Sequence, residues 1–491
     1  MSVPQAQFDG MASEPNKKVL RPHIRVGATF YPHANDPIFS SRSVKRRYLN
    51  WDRNLTEGTI TNWSWSKRMG EPSGRWSITA KLGRSAAMDI LGGDLIDGDW
   101  VDIEVMRNGI VFPICRGVLD TVREQTQSVG GATVRTISLT GRDHGALFET
   151  PIAWANIYAQ SVSELLLGIH TAGLKSEIGG SPSRMFELWI NATFGQKTSA
   201  VRSAWQFPPA LASRTSVDRF GDELEVRNSS ETRGSYWNEI SAWTQAGQSL
   251  HQAFGQWCNP LLNEFWYDLE NPQDPTATRH GQRMEATIRE RPFINDALGL
   301  DSPWFDVPEW TIPSWMIESR DLGRGGTERF TIFELLADYS HGNAQEQPAL
   351  APPTWSKNAV SSHGIKPYLE NTKYVQVVNG DQGGWVAERN VWQDLVVSWF
   401  AANPYWLSGT LNIATMLPEI RVGNRLRLAT GDSTGLSGYI EGVEHEYQFA
   451  SDGNRGPHSR TRLQLTRGFE GSDKDLVDLV RDSKKTFTEG F

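Results

Sequence analysis

Gly431-Asp-Ser-Thr-Gly435 has the Gly-x-Ser-x-Gly spacing in which a serine on a strained turn serves as a nucleophile. That chemistry needs a strand before the serine and a helix after it. Here the segment joins two strand-like stretches, and Gly, Asp and Ser are the residues a strand-to-strand turn uses, so a turn is expected. Gly323-Arg-Gly-Gly326 lacks the Gly-Lys-Ser/Thr ending of a phosphate-binding loop and follows no clear strand, so it too reads as a flexible turn. The ten histidines show no His-Glu-x-x-His or other ligand spacing. His144, beside Asp143, and His445 are expected to be structural or exposed. Paired carboxylates near tryptophan would suit glycoside chemistry, with Glu264, Asp268 and Glu285 around Trp257 and Trp266 as the candidates. Tryptophan in this number, 20 residues, is equally what large subunit interfaces use. Arg42, Lys45, Arg46 and Arg47, near Tyr48 and Trp51, are expected to form a solvated basic face, with phosphate contact or an assembly surface as the alternatives. No catalytic, cofactor-binding or metal residue is assigned.

The chain that must position these groups has 491 residues, room for about three domains. An aromatic share of 10% argues against disorder, and a charged share of 22% fits a folded protein with large apolar contact surfaces. The net charge of −8, with no strongly basic domain, is unsuited to holding nucleic acid by phosphate neutralisation. The two cysteines, Cys115 and Cys258, lie among apolar residues without Cys-x-x-Cys spacing, so neither a zinc site nor a disulfide framework is expected. Residues 1–10 lack the apolar core of a signal peptide. The most apolar stretch, Val391 to Leu407, is interrupted by Asp394, Asn403 and Pro404, so no membrane insertion is expected.

Five segments follow from the patterning: an arm over 1–20, a strand-rich region over 21–150, a mixed α/β region with a linker over 151–365, a second strand-rich region over 366–470, and a tail over 471–491. Thr59 to Trp65 alternates, with Ile60, Asn62 and Ser64 on one face and Thr61, Trp63 and Trp65 on the other. Trp76 to Leu82 alternates as a half-buried strand should. Helices are expected from Ser161 to His170, with Glu164 completing a capping pattern, and from about Ser241 towards Cys258. Strands are expected at Phe265–Asp268, Met284–Arg289 and Tyr374–Val378, and a proline-rich linker from Gly342 to Ser356. Leu476, Leu479 and Val480 form the apolar stripe of a last helix capped by Ser472 or Asp473, expected to dock on its own domain.

The two strand-rich regions read as copies of one unit. Leu95 to Val105, Cys115 to Asp120 and Thr136 to Arg142 match Glu419 to Leu428, Ile440 to His445 and Arg462 to Gly468. The alignment sets Gly98 with Gly423, Gly117 with Gly442, each pair of glycines 19 residues apart, and Thr140 with Thr466. Such a duplication lets three chains present six similar units to a six-fold partner.

These same residues resemble the late-control D-like hub family, the baseplate or tail hub proteins of bacteriophages. The resemblance is carried by Asp94 to Ile103 running on through Cys115–Asp120 to Ser138–Asp143, by Asn263–Asp268 followed by Ile288–Phe293, and by Leu411 through Pro418–Gly423 to Gly438–His445 and Thr461–Arg467. It covers about half the chain. The resemblance implies an α+β, mostly β protein with two homologous tube-like β-barrels flanking a mixed α/β insertion. It implies a structural, non-enzymatic homotrimer whose pseudo-six-fold ring joins the hexameric tail tube protein to a trimeric central spike protein, beside other baseplate proteins. DNA would pass through the ring without specific binding. The place implied is the virion tail baseplate, assembled in the host cytoplasm. A tail-associated cell-wall hydrolase or glycan-binding protein is the alternative from another class, and a six-fold tube or distal-tail adaptor is a second.

Overall fold

The computed structural model describes residues 24–31, 46–49, 57–83, 88–90, 93–129, 132–149, 182–183, 186, 190, 224–228, 249–258, 260–270, 284–325, 329–337, 353–372, 382–429, 435–449 and 458–489. The expected arm, the helix at 161–170, the strand at 374–378, and Arg42, Lys45 and Trp51 lie outside them.

Among the described residues seven strands come first: β1 (Ile24–Tyr31), β2 (Arg47–Leu49), β3 (Gly58–Arg68), β4 (Arg75–Leu82), β5 (Trp100–Arg107), β6 (Ile110–Val129) and β7 (Ala132–Asp143). Alternation explains most of them: Trp76, Ile78, Ala80 and Leu82 of β4 are buried, as are Val101, Ile103 and Val105 of β5. β3 departs from the expected faces. A bulge between Ile60 and Asn62 shifts its pairing with β4, so Ile60 enters the core beside Trp63 and Trp65, and Asn62 turns outward.

The middle contributes β8 (Leu224–Asn228), β9 (Asn263–Leu269) and β10 (Met284–Glu290), a small sheet in the order β8-β10-β9. The helix before it, Leu250–Trp257, is capped at Ser249, not near Ser241, because Ser249 and Gln252 form a reciprocal capping box. Next come β11 (Glu309–Pro313), β12 (Ile317–Gly323), β13 (Ile332–Ala337), β14 (Thr354–Trp355) and β15 (Pro367–Thr372). β14 takes the end of the expected linker, pairing with Ile332 and Phe333, and Ser356 caps the helix Lys357–His363. The chain ends with β16 (Leu407–Ile413), β17 (Arg425–Ala429), β18 (Leu436–Gln448), β19 (His458–Glu470), the helix Asp473–Lys484 and β20 (Thr488–Glu489). β15-β13-β14-β20 form a four-stranded sheet. It packs with the helix Gln382–Phe400 and the last helix around Phe333, Trp392, Trp399 and Leu476. As expected, the last helix docks on its own chain, with Ser472 as cap and Lys484 reaching Asp296 (3.0 Å) and Asp394 (2.7 Å). Among the described residues no helix is long and apolar enough to cross a membrane.

Among the described residues the remaining strands form one sheet of thirteen. Its order is β12-β16-β19-β18-β3-β4-β7-β6-β5-β1-β2, with β17 beside β18 and β11 beside β17. The chain is thus mostly β with helices, as expected, but the described strand sets do not close separately. β18 carries them into one another. Its first part pairs with β17, and its second part, Gly442 to Gln448, pairs with β3. One apolar core follows the sheet from Phe30 and Val101 through Trp65 to Leu426 and Leu465. β11 and β12, in the stretch read as insertion, belong to this sheet and pair with β17 and β16.

Candidate functional site: the seam between two equivalent strand sets

Backbone hydrogen bonds decide how the copies correspond. Gly98 and Gly423 both take positive φ, 82° and 76°, which a glycine adopts without steric cost. Gly98 donates to the Leu119 carbonyl (2.7 Å) and Leu119 donates back to Asp99 (2.8 Å). Gly423 donates to Ile440 (2.8 Å) and Ile440 donates back to Asn424 (2.9 Å). Leu119 therefore corresponds to Ile440, and Cys115-Arg-Gly-Val-Leu-Asp120 lies over Leu436-Ser-Gly-Tyr-Ile-Glu441. The cross-strand pairs agree: Val101 opposes Gly117, and Leu426 opposes Gly438. A bulge follows Leu119 in one copy and Ile440 in the other. The bulged acids are used alike, Asp120 accepting from Arg142 (2.9 Å) and Glu441 from Thr466 (2.9 Å). The two strand sets thus correspond bond for bond, in a register other than the one read from sequence: Gly117 matches Gly438 instead of Gly442, and Thr466 matches Arg142 instead of Thr140. The Gly-Val dipeptides at 117–118 and 442–443 had drawn the sequence alignment away.

The correspondence extends outward. Ile78 of β4 opposes Leu139 as Leu411 of β16 opposes Leu463. Ile60 and Asn62 flank a bulge facing Ala80 and Thr79, as Ile317 and Ser319 flank one facing Ile413 and Asn412. Strands β3 to β7 are matched by β12, β16, β17, β18 and β19.

Where the copies meet, polar groups are buried and partnered. His445 stacks on Trp65 at 5.4 Å and its Nδ1 lies 3.0 Å from Thr461 Oγ1. Lys67, with no exposed surface, donates to Asp143 Oδ2 (3.0 Å) and the Pro72 carbonyl (3.2 Å). His144 Nε2 lies 3.2 Å from the Glu285 carbonyl, tying the first strand set to the small central sheet. Arg107 forks onto Glu419 at 2.9 and 2.7 Å, and Arg421 donates to the Pro113 carbonyl at 2.8 Å. These two contacts join the β5–β6 hairpin to the segment before β17.

Burial holds His144 and His445 neutral, pushing their values down to about 4 and about 3. An unfolded histidine titrates near 6.5. The stability these neutral rings secure is therefore complete above about pH 6.5 and is lost as pH falls towards 4 and 3. His144 is expected to remove about 3 kcal/mol and His445 about 5 kcal/mol across these windows. Equilibrium denaturation between pH 7 and 4 checks this, and His445→Asn should flatten the slope. An unchanged slope would discard His445 as a source.

The carboxylates singled out in the sequence sit inside this framework. Glu264 accepts from Arg289 Nε (2.6 Å) and the Tyr439 hydroxyl (2.5 Å), while Arg289 also donates to the Gly423 carbonyl (2.7 Å). Asp268 and Glu285 are directly opposite on β9 and β10, as a pair requires, but both are buried. Burial raises the Asp268 carboxyl, with Arg421 pulling it back down. The Trp266 face is covered by the Arg289 guanidinium at 4.8 Å, which leaves it no room to stack a sugar. The Trp257 side chain lies outside the described residues. This is the arrangement of a structural ion-pair network binding the central sheet to the second strand set.

Other expectations resolve locally. Gly431 to Thr434 lie outside the described residues, but antiparallel β17 and β18 flank them, so the serine stands between two strands. Gly323, contrary to expectation, ends a strand, β12, whose polar sequence hid it. Arg47 is no solvated cation: it is buried against Glu57 (3.2 Å) and Asp94 (2.5 Å), and Arg46 lies over the Tyr31 ring. Both cysteines are free and buried.

No family model matches the sequence, and no curated protein matches it. Among solved structures, the chain is similar to the tail protein from Neisseria meningitidis MC58, with 11% identity and a TM-score of 0.44, over 90% of this chain and 96% of that one. It is also similar to the 43 kDa tail protein of prophage MuSo2 from Shewanella oneidensis, with 10% identity and a TM-score of 0.46, over 91% and 98%. A third is a chain of the PdpA–VgrG complex, which in its half-lidded and lidded forms is from Francisella. In the lidless form identity is 9% and the TM-score 0.42, over 91% of this chain and 65% of that one.

Proposed function

We propose that this chain is the structural hub of a phage-type tail baseplate: a homotrimer whose six repeat units form a pseudo-six-fold ring around a DNA channel. The ring joins a hexameric tail tube protein to a trimeric central spike protein and contacts other baseplate proteins in the virion. The observation that carries this reading is the strand-by-strand equivalence of β3–β7 with β12 and β16–β19, bulges included. A six-fold tube cannot meet a three-fold spike through equivalent contacts, and a duplicated unit in a trimeric subunit removes that mismatch. The first unit is assigned to residues 24–143 and the second to 309–323 with 407–470, so β13, β14 and β15 of the four-stranded sheet are inserted within the second and β20 follows it. Each unit is a tube-like barrel opened at the seam. In the first, Glu57 of the turn before β3 donates to Tyr48 of β2 (2.9 Å), and in the second the turn Ser314–Met316 carries β11 directly into β12. The role is structural rather than enzymatic, and the net charge of −8 suits a wall past which DNA slides.

Light scattering of the purified protein across a concentration range tests the reading. Three 55.0 kDa chains per particle are expected. A monomer at every concentration, or a hexamer, would overturn it.

A further inference from the structure

We infer that neighbouring copies of this chain join by strand addition, β12 of one copy lying along the second half of β6 in the next. The inference deepens the ring reading above and rests on it. Within the chain, β18 bonds β19 along one side throughout, while its other side bonds β17 first and then β3. β6 is built alike: β7 follows one side, and β5 with the turn before it occupies the other only as far as Leu119. Beyond that point, among the described residues, nothing pairs with the side corresponding to the one β3 fills on β18. The strand that corresponds to β3 is β12, which among the described residues pairs only with β16 and so has an edge of its own to offer.

Burial follows the same logic. Gly442, Val443, His445 and Tyr447 of β18 are buried where β3 covers them. At the corresponding positions of β6, Thr121 and Thr126 are exposed and Val122 and Glu124 half-buried. Trp63 and Trp65 of β3 are buried, while Glu318 to Asp321 of β12 are exposed. Charges along a lone edge are how a sheet avoids indiscriminate pairing, and here they also fit one partner.

The register is fixed by correspondence. Ser64 opposite Glu446, Trp65 opposite His445 and Trp63 opposite Tyr447 translate into Asp321 opposite Gln125, Leu322 opposite Glu124 and Arg320 opposite Thr126. No like charges then stand directly opposite, and Arg123 with Asp321, and Glu124 with Arg320, are diagonal pairs of opposite sign. The two edges lie on different units, so each copy gives one and receives one. Such a head-to-tail contact closes into a ring when its rotation allows.

The test uses the full chain carrying Gln125→Cys and Asp321→Cys together, both at exposed positions, with the native cysteines buried. Opposed Cα atoms in a ladder are about 4.5–5.5 Å apart, within disulfide reach. Mild oxidation is expected to give covalent dimers and trimers on a non-reducing gel. Gln125→Cys with Glu318→Cys, about 10 Å out of register, is expected to give none. Linkage through the offset pair alone would overturn the register. A trimer by light scattering in which neither pair links would overturn strand addition and leave the ring reading standing. A monomer at every concentration would remove both.

Discussion

Arg107→Ala is expected to lower the unfolding free energy by about 3–5 kcal/mol, because it strands a buried carboxylate. The Arg107 and Glu419 side chains are 6% and 5% exposed, and the guanidinium donates one bond to each carboxylate oxygen while lying over the Phe112 ring. Water cannot replace the lost cation without opening the seam, since Met416 and Pro113 close the same region through Arg107 and Arg421. Glu419→Ala should cost a similar amount. Arg107→Met with Glu419→Leu should recover most of the loss, because an apolar pair of matching volume removes both desolvated charges together. Chemical denaturation of the two single variants and the double variant forms the cycle that checks this. Single losses below about 1 kcal/mol would mean the pair does not hold the two strand sets together.

The same pair shows what could be read from sequence and what could not. Alternation gave β4, whose core is a simple period-two stripe, and Ser472 announced the last helix. β12 escaped because Ile-Glu-Ser-Arg-Asp-Leu-Gly has no apolar face to display, as suits an edge strand. The Trp63–Trp65 face was legible, yet Ile60 was placed opposite it, since a bulge adds a residue without leaving a mark in the alternation. The likeness of the two strand sets was visible through their glycines, but the match slid by four residues at the second glycine, because the β5–β6 hairpin is longer than its counterpart. Gly117 follows Gly98 by 19 residues, whereas Gly438 follows Gly423 by only 15. Partners such as Arg107 and Glu419, 312 residues apart, carry no local signal at all.

That corrected match makes a sharp contrast between two glycines at one place in the repeat. Gly117→Ala is expected to cost about 3 kcal/mol or more, while Gly438→Ala should stay within about 1 kcal/mol of the native protein. A Cβ on Gly117 would stand 2.0 Å from the Arg142 carbonyl oxygen and 2.7 Å from the Asp143 Cα, both backbone atoms of β7. Neither can rotate away, so β6 and β7 must part. They would part where Asp143 holds Lys67 and where His144 donates its N–H to the Arg116 carbonyl (2.8 Å). A Cβ on Gly438 meets nothing nearer than the Gly468 Cα at 3.5 Å, an ordinary contact. The difference comes from the second repeat's extra bulge between Ser437 and Tyr439, which sets β19 back at the point where β7 presses close. Thermal or chemical unfolding of the two variants decides it. Equal losses would mean that the second bulge does not open the room that separates the two units, and that β18 is as tightly pinned as β6.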